Sequence, residues 1–404
     1  MACKCELRKK IKAAAATWTP ERTVYLDYNA TTPVDPRVIG AFERACRHNW
    51  GNPSSLHSAG TAGWDELQNL YNTAGNFFSV ATDGFSLCSN GTEAINTAIL
   101  GFAARNHNAN FITTNIEHQA VKHPLFHLAK KSPAAPSSYN GNVITLKVDE
   151  DGKLNLHELE KAIKQGRGIS VITYSPVNHE TGSIQPIKEI SEIAKRNGAI
   201  IIMDAVQAAP RMCPSKWSQY CDVFCMSGHK IYAPKGSALL WKKSNIKLAP
   251  LSLGGNQNGS LFPGTENIPG AAALSEAIKL MQKEQADELK ILSALKKDAI
   301  NILKQSSIPF KVESPQDSVP GILCISLNSH PNMEKLLFKL NESNICLSRF
   351  SACSEKINGQ SNILRQMGRS TLTSQSSLRI SFGRWSKRED FYKLAKALKL
   401  LSNY

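Results

Sequence analysis

Short apolar runs alternate with stretches of helical period along most of the chain. Runs of strand length occur at Phe85–Cys88, Phe111–Thr114, Val143–Val148, Ser170–Tyr174, Ala199–Met203, Val223–Met226 and Ser237–Trp241. Between them, Leu156–Lys164 and Ile187–Arg196 repeat apolar side chains at the spacing of one helix face. This alternation predicts an α/β class with a mostly parallel central sheet covered on both faces. Farther on, a long helical pattern runs from Ala271 to about Lys304. A strand at Ile322–Leu327, a helix at Met333–Asn341, a Ser-rich loop at Ser348–Gln360 and a strand at Ser377–Phe382 follow, and a helix at Arg388–Leu401 closes the chain. The pattern divides the chain into an N-terminal arm (1–23), a large domain (35–285) and a smaller α+β domain. The last is built from 24–34 plus 286–404 and bears a loop at about 348–362.

Length fits this division, since 404 residues exceed one simple core. No apolar run approaches the roughly 20 residues of a membrane helix, so no membrane association is expected. The formal charge is +15, from 48 Lys and Arg against 33 Asp and Glu. It is spread along the chain with no basic patch interleaved with aromatics, so it reads as general surface character and no nucleic-acid partner is expected. The 10 cysteines are irregularly spaced and form no disulfide framework, which points to a reducing compartment, the cytoplasm in the first instance. The basic, Ala-rich start reads as an arm, with organellar targeting as the alternative. Cys213, Cys221 and Cys225 lack the paired spacing of a zinc site, and no metal is expected.

Several segments carry possible chemistry. In AIIIMDAVQ, a strand ends in Asp204, and ligands of open α/β sheets bind beyond the carboxyl ends of strands. An acid there can hold a protonated ring nitrogen, as a pyridine cofactor acting as electron sink requires; Gln207 can reach a neighbouring ring oxygen. Taken alone, Asp204 reads first as a cap of the next helix. In VFCMSGHKIYAPKG, a strand runs into Ser227, His229 and Lys230. A lysine in a partly dry site can form a Schiff base, and Ser227 and His229 can donate to a phosphate. SNGTEAIN opens a helix at Gly91 and Thr92, offering N–H groups and a hydroxyl to an anion. NIEHQAV places His118, and PVNHETG places Asn178, after apolar strands. Cys353 sits among Ser, Gly, Asn and Lys, in a composition that suits an exposed loop and a nucleophilic thiolate.

YLDYNATTP, GNPSSLHSAG, SNGTEAIN, IEHQAV, VNHETG, MDAVQ, SGHKIYAPKG, PGTEN, SAC and LRISFGR stand in the order found in class V aminotransferase-like enzymes. From about Val24 to Leu401 the chain closely resembles cysteine desulfurases of the extended catalytic-loop type, and their relatives the selenocysteine lyases. The resemblance implies a pyridoxal 5'-phosphate (PLP) enzyme of fold type I and a homodimer. It implies that Lys230 carries the cofactor, Asp204 pairs with the pyridine nitrogen and Gln207 with the ring hydroxyl. His118 stacks on the ring and assists proton transfer. Gly91, Thr92, Ser227 and His229 hold the phosphate, with Thr265 of PGTEN supplied by the partner subunit. Asn178 and Arg379 bind the substrate carboxylate, and Cys353 accepts sulfur from L-cysteine as a persulfide. A sulfur-acceptor protein, such as an iron–sulfur scaffold, is the implied partner. Alternatives are a selenocysteine lyase or other class V enzyme, and a non-catalytic adaptor of the same fold.

The sequence departs from the family pattern in places. His179 stands where relatives have a second Asn. GGNQNGSLFPGT replaces a G-x-E-R-x-x-R pattern, with Asn258, Gly259 and Phe262 in place of charged residues. The chain stops at Tyr404, where many relatives continue into a tail that docks the scaffold protein.

Overall fold

The computed structural model describes residues 23–133, 135–327, 332–350 and 360–401. The arm before Thr23, Cys353 and most of its loop lie outside the described residues. The chain divides into two compact units. The larger takes Thr31–Asn178 and Ile184–Ala286; the smaller takes Met1–Ala30, His179–Ser183 and Asp287–Tyr404.

Strand β1 (Val24–Tyr25) opens the described chain, in the smaller unit. The larger unit begins with α1 (Pro36–His48) and α2 (Ser58–Phe78). Its sheet holds β2 (Phe85–Cys88), β3 (Asn110–Thr114), β4 (Val143–Leu146), β5 (Ser170–Tyr174), β6 (Ile200–Asp204), β7 (Val223–Ser227) and β8 (Ala238–Lys242). Helices α3 (Gly91–Arg105), α4 (Gln119–Ala129), α5 (Leu156–Gln165) and α6 (Ile187–Arg196) connect successive strands from β2 to β6. The strand order is β2-β8-β7-β6-β5-β3-β4. Only β8 runs antiparallel, between β2 and β7. Every residue of β3, β5 and β7 is buried, which explains their unbroken apolar runs: central parallel strands have no solvent face.

Phe102 of α3, Phe111 of β3 and Val121 of α4 meet Ile202 and Cys225 in the core of this unit. α3 packs closely because Gly101 has no side chain. A Cβ there would lie 2.4 Å from the Ala249 carbonyl oxygen, and Ala249 N–H donates to Gly101 O at 3.0 Å. Gly101→Ala is therefore expected to destabilise the protein by about 1–3 kcal/mol, the usual cost of overpacking, read as a lower urea midpoint.

The long α7 (Ile268–Gln305) passes from the residues of one unit into those of the other. The smaller unit adds β9 (Lys311–Val312), β10 (Ile322–Ser326), α8 (Met333–Glu342), β11 (Ile345–Cys346), β12 (Ser377–Ser381) and α9 (Arg388–Leu401). β10 pairs antiparallel with β12 and β9, while β1 pairs parallel with β11. Leu295, Ile302 and Leu303 of α7 pack with Leu336, Ile380, Phe382, Phe391 and Leu394 to form its core.

The division differs from the sequence reading at two short segments. Residues 179–183 join the smaller unit, because Val319 N–H donates to Gly182 O at 2.9 Å and the Ser361 hydroxyl to Glu180 Oε2 at 2.6 Å. Residues 31–34 join the larger, because Thr32 is hydrogen-bonded to the His229 turn.

Candidate active site

Parallel strands all present their carboxyl ends to one edge of the sheet, and the pairing register fixes which ends lie side by side. Ser227 of β7 and Cys88 of β2 both face Ala238 of β8, so Ser227 stands close to the start of α3. On the next strand, Asp204 is paired with Cys225, two residues before Ser227. Side chains alternate along a strand, so Asp204 projects on the same side as Ile202, which packs with α3 and α4. The register therefore gathers Gly91, Thr92, Asp204, Ser227 and the turn after Ser227 on one face.

Asn90 caps α3 by accepting from Glu93 N–H at 2.9 Å, and Glu93 accepts from Ser89 N–H at 2.8 Å. The N–H groups of the first helical residues, Gly91 and Thr92, have no intrahelical acceptor by the geometry of a helix. Together with the positive end of the helix dipole they form an anion-binding end. Gly91 is needed there: a Cβ would lie 2.9 Å from Val206 Cγ2 and 3.4 Å from Ser227 Cβ.

Lys230 ends a single turn of 3-10 helix, Gly228–Lys230, directly after β7. The segment 31–35 straps this turn. Thr32 N–H and Oγ1 donate to His229 O at 3.0 and 3.1 Å, Tyr232 N–H donates to Thr32 Oγ1 at 2.9 Å, and Asp35 N–H donates to Tyr232 O at 3.0 Å. These bonds hold Tyr232 at φ 67, a left-handed conformation that is strained for a bulky side chain. The His229 Nδ1 lies 3.1 Å from Thr31 Oγ1. Burial, then the charges of Lys230 and Lys235, push the imidazole down to about 4, so it is neutral at pH 7 and offers one N–H.

Asp204 is buried, with one oxygen accepting from Val206 N–H at 3.1 Å. Burial pushes its carboxyl up to about 6, against that bond and the opposing charge of Lys230. β7, paired with the strand that ends in Asp204, runs directly into the turn that ends in Lys230. Gln207 follows, buried, just before the helical turn Ala208–Arg211.

His118 is the N-cap of α4, and its Nδ1 accepts from Ala120 N–H at 3.1 Å. With Nδ1 accepting, Nε2 is the ring nitrogen left to donate. Asn178 lies beyond β5, buried, and its Nδ2 donates to Ile116 O at 3.3 Å. Two predicted residues are not among those that the register gathers. Thr265 is exposed ahead of α7. Arg379 belongs to β12 of the smaller unit, where it donates to Asp27 Oδ1 at 3.0 Å and to His179 O at 3.2 Å. The replaced loop also has a physical role here: Leu261 and Phe262 are buried in the core of the larger unit.

Thr31, Glu117 and Ser175 received no role from the sequence. Each had a weak signal, lying in a polar segment just beyond an apolar run or inside a motif noted for its neighbour. Glu117 accepts from the Thr114 hydroxyl at 2.5 Å and from Ser175 N–H and Oγ at 2.9 and 2.6 Å.

Residues 24–394 match the family model described as aminotransferase class-V. The chain belongs to this family. It is 31% identical over 377 residues to a putative cysteine desulfurase IscS 1 of Bacillus subtilis, covering 92% of this chain and 97% of that protein. It is 31% identical over 401 residues to a mitosomal cysteine desulfurase of Trachipleistophora hominis, covering 96% and 87%. A solved NifS-like protein superposes with a TM-score of 0.84 at 26% identity, over 95% of this chain and all of that one. Enzymes of the family depend on PLP. The residues present fit that group: a helix end and small turn for a phosphate, a buried acid for a ring cation, and a lysine coupled to that acid.

Proposed function

We propose that the chain is a cysteine desulfurase, releasing alanine from L-cysteine and leaving the sulfur as a persulfide on Cys353. The observation that carries this reading is the buried Asp204 at the carboxyl end of β6, paired with β7, which runs into the turn ending in Lys230 beside the N-terminus of α3. When bound, PLP supplies the electron sink that lets a proton leave the substrate α-carbon. Gly91, Thr92, Ser227 and His229 hold the phosphate through N–H and hydroxyl donors. Asp204 keeps a proton on the ring nitrogen, and Gln207 meets the ring hydroxyl. Lys230 Nζ would hold the cofactor, and its amine would be the base for the α-proton. His118 covers the ring and presents its Nε2–H. Asn178 and Arg379 serve the substrate carboxylate. Arg379 suits that role, since its Nε is buried with no hydrogen-bond partner among the described residues.

Cys353 Sγ, as thiolate, then attacks the substrate sulfur. A new S–S bond forms and the substrate Cβ–S bond breaks, its electron pair passing to the carbon skeleton that leaves as alanine after protonation. A homodimer would complete the site, the partner contributing its Thr265, and the persulfide would pass to an acceptor protein such as an iron–sulfur scaffold. The free thiols at Cys46, Cys88, Cys213, Cys221, Cys225, Cys324 and Cys346 suit a reducing compartment, the cytoplasm or an organelle interior. No helix among the described residues is long and apolar enough to cross a membrane.

Cys353→Ala is the test. The variant is expected to keep the cofactor's visible band and its response to cysteine while sulfide release with a reductant falls to background. Sulfide release at the wild-type rate from the variant would overturn the role of Cys353.

A further inference from the structure

We propose that Glu117 is a positioning residue that joins the loop carrying His118 to the loop carrying Asn178, and so fixes where the His118 imidazole stands. The inference rests on the function proposed above. Glu117 follows β3 and is buried. One carboxylate oxygen accepts from Thr114 Oγ1 at 2.5 Å, at the end of its own strand. The other accepts from both Ser175 N–H and Ser175 Oγ, at 2.9 and 2.6 Å, at the end of the neighbouring β5. In the reverse direction, Asn178 Nδ2 donates to Ile116 O at 3.3 Å. The two loops are thus stitched by a side chain from each. Above about pH 7, where Glu117 is ionised, hydrogen bonds to its carboxylate are shorter and stronger than neutral ones, so the clamp stiffens there. The imidazole is held from its other side by Ala120 N–H on Nδ1. Its heading is therefore set by the α4 cap and the Glu117 clamp together.

Neither strand pairing nor core packing calls for an acid here. The ionisable groups coupled to Glu117 are Asp204 on β6 and Tyr174 on β5. The Glu117 carboxyl is raised to about 7: burial drives the rise, the hydrogen bonds from Ser175 and Thr114 oppose it, and the Asp204 charge adds to it. An acid retained at such a cost, one residue before the group it steadies, fits a role in the site.

The test uses the PLP-loaded protein and its apo form, with Glu117→Gln and Ser175→Ala. Glu117→Gln is expected to lower kcat for alanine release about 10-fold, the scale of one lost charge-assisted bond, with KM for L-cysteine changed less than about 2-fold. Ser175→Ala, which keeps the backbone N–H, is expected to lose about 3-fold in the same direction. The absorbance titration of the bound cofactor should move to lower pH in Glu117→Gln, because a negative charge beside Asp204 is gone. In the apo protein, a carboxyl raised in the folded state costs stability as pH rises from its unfolded value through about 7. The wild type should therefore lose urea resistance from pH 5 to 8 more steeply than Glu117→Gln. A Glu117→Gln protein with wild-type kcat and an unmoved titration would overturn the proposal, as would a lowered urea midpoint with no shift in the titration. If Glu117→Gln does not fold, an unchanged kcat in Ser175→Ala overturns it. Should wild type release no alanine while the titration still shifts, the desulfurase reading fails and the positioning role stands.

Discussion

Lys230→Ala is expected to lower alanine formation from L-cysteine by roughly 10²–10⁴-fold, the range for loss of a positioned acid–base group. Borohydride should no longer fix the cofactor to the chain. The expectation follows from the strap over the turn. Hydrogen bonds from Thr32 and Asp35 hold the backbone on either side of Lys230, and Tyr232 is kept in a left-handed conformation just beyond it. These contacts use backbone atoms, so the alanine variant should keep its fold and its far-UV circular dichroism. Loss of turnover with an intact fold, partly restored by an added primary amine, would locate the missing function in the amine. Turnover within about 3-fold of wild type would remove Lys230 from the mechanism.

Asp204→Asn separates stability from catalysis. Turnover is expected to fall roughly 10²–10³-fold, the scale of losing one aligned electrostatic contact in a water-poor site. The apo protein should gain stability. The Asp204 carboxyl rises from 3.8 to about 6 on folding, so the folded state holds its proton while the unfolded chain releases it. That costs stability progressively from pH 3.8 through about 6, and fully above. Asparagine escapes the cost, which is about 3 kcal/mol at most. Urea unfolding of the apo variant at pH 8 should show the gain, and at pH 4 it should nearly vanish. An equal or lower midpoint at pH 8 would contradict the burial argument. A site that holds a costly acid for its chemistry is a familiar exchange of stability for function.

Much of the larger unit was legible because its central strands are buried on both faces and so read as continuous apolar runs. The apolar run of β5 matches the strand to the residue, and those of β6 and β7 to within one. Val143–Val148 was read too long, since pairing with β3 ends at Leu146 and Val148 bridges to Leu154 instead. The helices α1 and α2 were not singled out. α1 is signalled by Asp35 accepting from Arg37 N–H and by Pro36, a cap followed by a helix-compatible proline. In α2 the glycines Gly60 and Gly63 blur the helical period, because each sits against backbone that leaves no room for a Cβ.

The site was legible as residue types at strand ends, where chemistry restricts the choice. The Asp204 and Lys230 pair could be read because both follow apolar runs that pack as neighbouring strands. Supporting residues give only a weak signal for a physical reason: Thr31, Glu117 and Ser175 hold other groups, and Thr31 and Ser175 find their partners far away in sequence. The 179–183 segment was misassigned for the same reason, as its hydrogen bonds reach Val319 and Ser361.

If Lys230 and Asp204 operate a bound PLP on L-cysteine, the sulfur must leave through Cys353. Mass spectrometry of the PLP-loaded protein after a single turnover with L-cysteine, paired with quantitation of alanine, tests it most directly. One sulfur atom should be added on the peptide containing Cys353 for each alanine released. Alanine formed while Cys353 stays unmodified, or no alanine from protein with its cofactor bound, would contradict it.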